Sequence, residues 1–200
     1  MIRVKTAAIL AACLALAGGI DAQVRSPQGA QAFSGWTSIL LKNGPNELDI
    51  DGDGRQDLVF VAWRDNYNAH GYGLVTFYRR GPSEELTWEL VPFFDAKPQG
   101  EDSFHTVHGA DCQLRGIAVA RRTSSPSEPI TVVVGDRDFG RSFDDSASVT
   151  FIVYRVEKNA DGTPGRPPVY LEAERTITSR SKYCDVNEAF AAELGIHTGA

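Results

Sequence analysis

Four aspartates form the densest group of metal-ligand side chains in the sequence. They lie in the stretch LDIDGDGRQDLV as Asp49, Asp51, Asp53 and Asp57, at positions 1, 3, 5 and 9 of a loop. Calcium is a hard cation that takes about six to eight oxygen ligands. The backbone carbonyl of Arg55 at position 7 offers a further oxygen, and a glycine at position 6 permits a sharp turn. The pattern predicts a calcium site, with a solvated acidic turn as the alternative.

The residues around this loop exclude the helix-flanked calcium motif. An EF-hand requires a Glu at position 12, where this chain has Phe60 inside a β-type run. The preceding KNGPNE contains Gly44 and Pro45, so no helix leads into the loop. The loop instead resembles the calcium loops of FG-GAP and integrin-type propeller blades. A propeller needs several such blades, and the sequence has one copy of the loop.

Two polar loops between β-type runs are candidates for ligand binding. The first, NYNAHGY, mixes polar and aromatic side chains, as the rim of a binding site does. The second, DRDFGRSFDD, combines acids, arginines and two phenylalanines, and an arginine fork can hold a carboxylate. The alternatives are an ordinary hairpin loop and a loop held by internal ion pairs. The candidate ligand-binding residues are Asn66, Asn68, His70, Arg137, Asp138, Arg141 and Asp145.

The stretch from His105 to Asp111 contains two histidines and an acid at intervals of three. Two imidazoles and a carboxylate can bind zinc and leave a position open for water, as in a metal-dependent hydrolase. Gly109 disfavours the helix that would place His105 and His108 on one face, and in a strand residues three apart point to opposite sides. Histidines with local hydrogen-bond partners are therefore the preferred interpretation.

Nucleophilic catalysis has little support in the sequence. Ser179 and Lys182 match the Ser-x-x-Lys spacing of serine β-lactamases, but they lie ahead of the last predicted helix, where the order of the remaining boxes is wrong. The sequence contains neither a Gly-x-Ser-x-Gly elbow nor a His-x-His-x-Asp-His zinc box. We therefore expect a protein that is not an enzyme.

The N-terminus has the features of an export signal. Arg3 and Lys5 precede an uncharged apolar run over residues 6–19, and Ala22 ends a plausible cleavage site. The run is short for a bilayer span, and no other stretch approaches the length needed. We predict a signal peptide at residues 1–22, a single β-rich domain at residues 23–200, and a periplasmic or secreted protein. Lipidation at Cys13 is the alternative, disfavoured because the apolar run continues past that cysteine.

Cysteine content and charge restrict the compartment and the partners. Cys112 and Cys184 remain after cleavage, and an even pair in an oxidising compartment predicts one disulfide. It would close a loop of about seventy residues and contribute about 3–4 kcal/mol by restricting the unfolded chain. Two buried thiols are the alternative. The net charge of −6 argues against nucleic acid as a partner.

Short β-type runs are the elements that must position these residues. Val, Ile, Thr and aromatic residues dominate the runs, and Gly, Pro, Asn, Asp and Ser dominate the gaps. The runs cover residues 36–41, 57–63, 73–78, 86–93, 114–120, 130–134, 148–156 and 169–175. One helix should follow Asp185, which forms a capping box with Glu188, and end at Gly195. We predict an all-β fold, an antiparallel sandwich or partly closed barrel of about eight strands with one C-terminal helix.

Four phrases taken together resemble one family. They are NYNAHG at 66–71, GADC at 109–112, DFG at 138–140 with Ser142 and the pair 145–146, and KYCDVNEAF at 182–190. They are similar to the CarG/CarF-type proteins of carbapenem self-resistance in Gram-negative bacteria. The resemblance implies an exported, β-rich periplasmic protein that protects cells from carbapenems without hydrolysing them. A carbapenem bears a carboxylate, so Arg137 or Arg141 is the expected contact.

Two other function classes stay open at this point. A calcium-dependent adhesion or glycan-binding module is the first, and surface aromatics lining a groove near the calcium loop would favour it. A hydrolase with a metal site at His105, His108 and Asp111 is the second, and it requires these three side chains to converge.

Overall fold

The structure, a computed structural model, describes residues 33–68, 70–81, 87–95 and 100–199. The predicted signal peptide at residues 1–22, with Cys13, and the lead-in up to residue 32 lie outside these ranges. Within them the chain forms twelve strands. In chain order these are β1 (Trp36–Ile39), β2 (Gly44–Leu48), β3 (Asp57–Arg64), β4 (Tyr72–Arg80), β5 (Trp88–Leu90), β6 (Phe93–Phe94), β7 (Phe104–His105), β8 (Val107–His108), β9 (Gln113–Arg122), β10 (Thr131–Arg137), β11 (Val149–Lys158) and β12 (Val169–Thr178).

The strands form two sheets packed face to face. The larger sheet has the order β1-β9-β10-β11-β12-β6, with β8 paired to β9, and the smaller has the order β2-β3-β4-β5, with β7 paired to β4. The described pairings are antiparallel except that of β12 with β6. The predicted all-β sandwich is confirmed, and across the described ranges neither sheet closes into a barrel. The strands outnumber the expected eight because several are only two to five residues long.

Alternating apolar side chains build the core between the two sheets. Val59 in β3, with Val75 and Phe77 in β4, points inward and is almost completely buried. These residues belong to one cluster with Val119 and Val132 from the larger sheet. A period of two is the pattern that a half-buried strand requires, and it is the signal from which the sequence predicted both strands.

A short helix covers the other face of the larger sheet. Helix α1 (Val186–Ala189) begins at Asp185, whose side chain accepts a hydrogen bond from the backbone N–H of Asn187. It continues as a π-helical turn over Phe190–Leu194, and Gly195, with φ at 69°, ends it. The predicted helix, its capping aspartate and its terminal glycine are confirmed. The other half of the predicted capping box is wrong, because Glu188 is exposed and forms no hydrogen bond back to Asp185 in the described part of the chain. No helix in the described part of the chain has the length and apolar character needed to cross a bilayer.

The helix approaches the sheet most closely at Gly135 of β10. A Cβ atom there would lie 2.7 Å from Val186 Cγ2 and 2.9 Å from Phe190 Cζ. Phe190 also packs on Phe151 of β11, with ring centroids 5.2 Å apart. The absence of a side chain at Gly135 therefore sets the distance between helix and sheet.

Cys112 and Cys184 are joined by a disulfide, with Cα atoms 5.7 Å apart. Cys112 directly precedes β9, an interior strand of the larger sheet, and Cys184 directly precedes the helix cap. The predicted pairing is confirmed, and the bond fastens the start of the helix to the sheet.

A buried carboxylate fastens the end of the helix to the turn that precedes it. Glu193 accepts hydrogen bonds from the backbone N–H groups of Arg180 and Ser181, each at 3.1 Å, and from Tyr183 Oη at 2.8 Å. Arg180 Nε donates to its second oxygen at 2.8 Å. Burial alone raises the pKa of Glu193, but the hydrogen bonds from Arg180 and Tyr183 outweigh it and leave the pKa below its ordinary value.

Two stretches fold differently from the sequence-based expectation. β2 forms where KNGPNE indicated only the absence of a helix, and it pairs with β3 at the edge of the smaller sheet. An edge position tolerates Pro45, which has no N–H to donate. The run predicted over residues 86–93 divides into β5, in the smaller sheet, and β6, in the larger one. The chain therefore crosses between the sheets at Val91 and Pro92.

Candidate functional site

An acidic cluster forms in the loop before β3. One carboxylate oxygen from each of Asp49, Asp51 and Asp57 lies within 4.8 Å of the other two. Oxygens that bind one calcium ion at about 2.3–2.6 Å are at most about 5 Å apart, so these three oxygens suit a single cation. Asp51 and Asp57 are 4% and 2% exposed, and Asp49 is half-buried.

The backbone of the loop holds Asp49 in place. Its two oxygens accept hydrogen bonds of 2.7–3.2 Å from the N–H groups of Gly52, Asp53 and Gly54. Gly52 has a positive φ of 73°, and a Cβ atom there would lie 2.6 Å from the carbonyl oxygen of Ser127. Both the turn and the close contact therefore require glycine at this position.

Asp57 is held by backbone donors from two other parts of the chain. Its oxygens accept from the N–H of Ile50 at 3.0 Å and of Arg80 at 2.8 Å. Burial raises the pKa of Asp57, and those two N–H donors only partly offset the rise. The neighbouring carboxylates of Asp51 and Asp53 raise it further. The cluster is thus a place where a positive charge would be favourable.

Asp53 and Arg55, both predicted as metal ligands, form an ion pair with each other. Arg55 Nη2 lies 2.8 Å from Asp53 Oδ2, and the Arg55 N–H donates to Asp53 Oδ1 at 2.8 Å. Asp53 is paired with Arg55 and is not one of the three residues whose oxygens have metal-ligand spacing. Lys158 Nζ lies 3.7 Å from Asp51 Oδ2 and brings a second cation to the cluster. The Arg55 carbonyl as a ligand stays a prediction.

Three loops enclose a groove of about 260 Å³ at the other end of β3. Its lining is rich in aromatic rings and histidines and consists of His70, Gly71, Tyr72, His105, Thr106, Val107, His108 and Phe143. The His70 ring lies on Phe143 with centroids 4.5 Å apart, and Tyr72 meets His105 at 5.5 Å. The structure therefore brings the two polar loops predicted to bind ligand together at one site.

A smaller cavity of about 120 Å³ lies behind the groove, between the sheets. Thr106 and His108 line both spaces. His108 Nε2 is 2.9 Å from Thr106 Oγ1, which also accepts the Gly73 N–H at 2.6 Å. Trp63 packs edge-on against His108, with centroids 5.0 Å apart. Burial lowers the pKa of His108 against the opposing charge of Asp185, so the ring is neutral at pH 7.

The first polar loop is shaped by its own side chains. Asn66 Nδ2 donates to the His70 carbonyl at 2.7 Å, and Asn68 Oδ1 accepts the His70 N–H at 2.8 Å. Tyr67 adopts a positive φ of 57° at the tip and is 94% exposed. Asn66 and Asn68, predicted as ligand contacts, therefore hold His70 at the wall of the groove.

Arg137 supports the second polar loop from beneath. It is 2% exposed and donates to the backbone carbonyls of Phe143, at 2.8 Å, and Asp145. Two of its N–H groups are therefore used to hold the loop, and its buried Nε has no hydrogen-bond partner, which differs from the ligand contact predicted for it. Arg141 is exposed, and its Nε lies 3.5 Å from Asp145 Oδ2. The exposed Asp138 fixes the start of the loop by donating its backbone N–H to the Ser148 carbonyl at 3.0 Å.

The two histidines of the 105–111 stretch both line the groove but have different surroundings. His105 is exposed and contacts Tyr72, whereas His108 is half-buried beside Trp63. Within the described ranges, the group with metal-ligand spacing is the aspartate cluster, and neither the histidines nor Asp111 belong to it. The structure therefore does not support a zinc site at these residues.

A comparison with protein families decides how the chain is classified. The model described as carbapenem resistance protein CarG-like matches residues 41–192, which include the acidic loop, the three groove loops and the disulfide. The chain belongs to the CarG-like family. The resemblance expected from the four sequence phrases is therefore confirmed.

The fold of this CarG-like chain is also similar to a solved structure. A crystal structure of CarG matches it with a TM-score of 0.65 and 24% sequence identity, over 78% of this chain and 94% of that one. At this identity the match shows a common fold. No curated protein matches the chain by sequence.

In this CarG-like chain, β3 separates the acidic cluster from the groove. Asp57 begins the strand and Arg64 ends it, and eight residues of strand span about 23 Å. The exposed aromatics Trp63, Tyr67 and Phe139 lie at the groove end. Trp88 is also exposed and lies opposite Arg80 in the β4–β5 pair, and the Arg80 N–H donates to Asp57, so an exposed aromatic ring is present near the acidic cluster as well.

Tyr72 and Phe143 lie in the two polar loops predicted to bind ligand but were not singled out as candidate contacts, and sequence reasoning did not assign Thr106 and Val107 to the groove at all. An aromatic residue in a strand indicates core as readily as a ligand surface, and β7 and β8 are too short to show alternation. The frequency of aromatic and histidine residues near His70 and His105 in the sequence was the signal that could have indicated this lining.

Proposed function

We propose that this CarG-like protein is exported and protects cells from carbapenems by binding the antibiotic in the groove, without hydrolysing it. The observation that supports this most is the family match over residues 41–192, because the family description names carbapenem resistance. Binding at a ratio of one antibiotic per protein would sequester the drug before it reaches its target.

The size and lining of the groove support a compact ligand. The groove and the cavity behind it have volumes of about 260 and 120 Å³, which together suit a small molecule. The His70–Phe143 and Tyr72–His105 ring pairs offer flat apolar surfaces for a bicyclic ring system.

The described groove supplies no strong catalytic arrangement. Its lining contains no serine, cysteine or carboxylate, the side chains that most often act as nucleophile or activate water. The Thr106 hydroxyl, 2.9 Å from His108, is the nearest approach to a nucleophile and base. Its oxygen already accepts the Gly73 N–H, which makes the hydroxyl a structural tie between strands.

The proposal assigns calcium to Asp49, Asp51 and Asp57 as a structural ion. When bound, calcium would supply the positive charge that neutralises the three carboxylates. These aspartates would hold it through the oxygens that lie within 4.8 Å of one another. The residues fit a hard cation because all three donors are oxygens and two of the side chains are buried.

Carbapenem sensitivity of a Gram-negative strain that expresses the full chain tests the proposed function. The expected result is a several-fold rise in the inhibitory concentration for carbapenems. A variant lacking residues 1–22 serves as the matched control and should give no protection, because it stays in the cytoplasm. Unchanged sensitivity with the full chain present in the periplasm would reject the proposal.

The absence of hydrolysis is tested separately with purified protein. The β-lactam absorbance of a carbapenem should stay constant over hours in an excess of protein, while equilibrium dialysis shows the drug retained with it. Loss of absorbance that depends on protein concentration would show an enzyme. In that event Thr106→Val, which removes the hydroxyl beside His108, should abolish the loss.

A glycan-binding role is the second candidate, and the exposed rings of Trp63, Tyr67 and Phe139 favour it. A glycan array with the purified protein checks it, with and without EDTA. Binding that EDTA abolishes would favour this function over carbapenem binding.

A further inference from the structure

The cations near the groove differ in whether they are free to meet a ligand. Arg137 is buried below the loop, two of its N–H groups donate to backbone carbonyls, and its Nε has no hydrogen-bond partner. Arg141 is compensated by Asp145, both through its guanidinium at 3.5 Å and through its backbone N–H at 2.9 Å. Neither residue predicted to hold a carboxylate therefore offers an uncompensated fork at the groove.

Arg64, the last residue of β3, does not line the groove but lies beside it, in contact with the lining residue Tyr72, and it is not compensated in this way. Its Nη1 donates to the Tyr72 hydroxyl at 3.1 Å, and its guanidinium carbon lies 5.8 Å from the centroid of the Tyr72 ring. None of the ion pairs between described residues includes Arg64. The adjacent acid, Asp65, instead accepts the Tyr67 N–H at 2.6 Å.

Tyr72 connects this cation to the groove. Its ring lines the groove and meets His105 edge-on at 5.5 Å, while its hydroxyl receives the Arg64 hydrogen bond. The register places Arg64 directly opposite Tyr72 across the β3–β4 ladder, so two strands fix their relative position. A guanidinium has five N–H donors, and one of them is used in this contact.

We infer that Arg64, oriented by Tyr72, binds the carboxylate of the ligand at the mouth of the groove. This inference rests on the proposed function and assigns the ligand class more narrowly. The ligand is a compact, partly apolar ring system that carries a carboxylate close to the ring. The rings of His70, Phe143 and Tyr72 contact its apolar part, and the remaining guanidinium donors of Arg64 hold the carboxylate in a charge-assisted fork.

The test compares two ligands and four forms of the full mature protein. The ligands are a carbapenem and the methyl ester of the same carbapenem, which keeps the rings and removes the negative charge. The proteins are wild type, Arg64→Gln, Arg64→Lys and Arg141→Gln. Arg141→Gln is the matched control because it removes an exposed positive charge from another loop of the same groove. Circular dichroism confirms that each variant is folded, and calorimetry or Trp63 fluorescence gives the dissociation constants.

Loss of a charge-assisted contact at an exposed rim predicts that Arg64→Gln weakens binding of the free acid by about tenfold. The ester should bind wild type and Arg64→Gln with equal affinity. Arg64→Lys should recover only part of the loss, because an ammonium lacks the fork. Arg141→Gln should bind the acid within about twofold of wild type.

The outcomes separate this inference from the function on which it rests. Equal affinity of wild type and Arg64→Gln for the acid would overturn the role of Arg64 and leave carbapenem binding intact. An equal loss in Arg64→Gln and Arg141→Gln would show general charge attraction and would likewise overturn it. Failure of the wild type to bind either ligand would reject carbapenem binding itself, and the assignment of Arg64 with it.

Discussion

Replacing Glu193 by Gln tests whether its buried carboxylate holds the C-terminal helix to the preceding turn at Arg180 and Ser181. Gln keeps the side-chain size and can keep three hydrogen bonds at one oxygen, from the N–H groups of Arg180 and Ser181 and from the Tyr183 hydroxyl. Its amide nitrogen would then face Arg180 Nε, so that a donor meets a donor where a 2.8 Å charge-assisted bond existed. Bonds to a charged group contribute about 1.5–3 kcal/mol and neutral ones about 1 kcal/mol.

The exposure of Arg180 limits the loss. Its side chain is 53% exposed, so water restores part of its solvation when the partner is removed. We therefore expect Glu193→Gln to lower the free energy of unfolding by about 2–3 kcal/mol at pH 7. In a domain of this size that corresponds to a melting temperature lower by about 4–12 °C. Glu188→Gln, on an exposed position of the same helix, is the control and should change stability by less than about 0.5 kcal/mol.

The pH dependence of this difference has a definite sign. A carboxyl group whose pKa is lowered by folding contributes stability above its unfolded pKa and loses that contribution as the pH falls through its folded pKa. The gap between wild type and Glu193→Gln should therefore be full at pH 7 and shrink below about pH 4. Thermal unfolding followed by circular dichroism measures it. Equal melting temperatures at pH 7, or a gap of the same size at pH 7 and pH 3, would refute the reasoning.

Three other predictions concern the acidic loop, the disulfide and the helix contact. Calcium at about a hundred times its dissociation constant should stabilise the wild type by about 2.7 kcal/mol. Asp51→Asn should lower the melting temperature and remove this calcium dependence. A wild-type melting curve that EDTA does not change would count against the site. Alkylation of the unreduced mature protein should label neither Cys112 nor Cys184, and labelling before reduction would contradict the bond. Reduction should lower the free energy of unfolding, measured by chemical denaturation, by about 3–4 kcal/mol. Gly135→Val should destabilise the protein by about 1–3 kcal/mol or more, because its side chain would enter the space of the helix, and unchanged stability would show that the helix can move away freely.

Local signals account for the parts of the fold that the sequence predicted. Strands such as β3 and β4 show alternation over eight or nine residues, and the helix shows both a capping residue and a terminating glycine. The disulfide followed from the number of cysteines alone. β2 gave no such signal, because Pro45 indicates a turn unless the strand is known to lie at a sheet edge.

The groove could not be located from local signals because its walls are far apart in sequence. The contact of His70 with Phe143 joins loops more than seventy residues apart, and pairing between β3, β4 and β7 sets where they meet. The charge pattern of the sequence also predicted the wrong arginines as carboxylate contacts. Arg137 and Arg141 lie in a conspicuous polar stretch, but their partners are within that stretch, whereas Arg64 stands at the end of an apolar strand.

Because the acidic loop lies at the start of β3, a change in the length of the loop should affect the position of this strand more than a change in the composition of the loop. A strand exchanges its two faces when it slides by one residue. At the far end of β3, such a slip would turn Trp63 away from the cavity behind the groove and direct Arg64 into it. A single-residue insertion between Asp49 and Asp57 would therefore alter the groove, about 23 Å away, without touching any residue that lines it. The length of the loop therefore sets the register of β3, and natural variation in the loop should be confined to substitutions that keep its length.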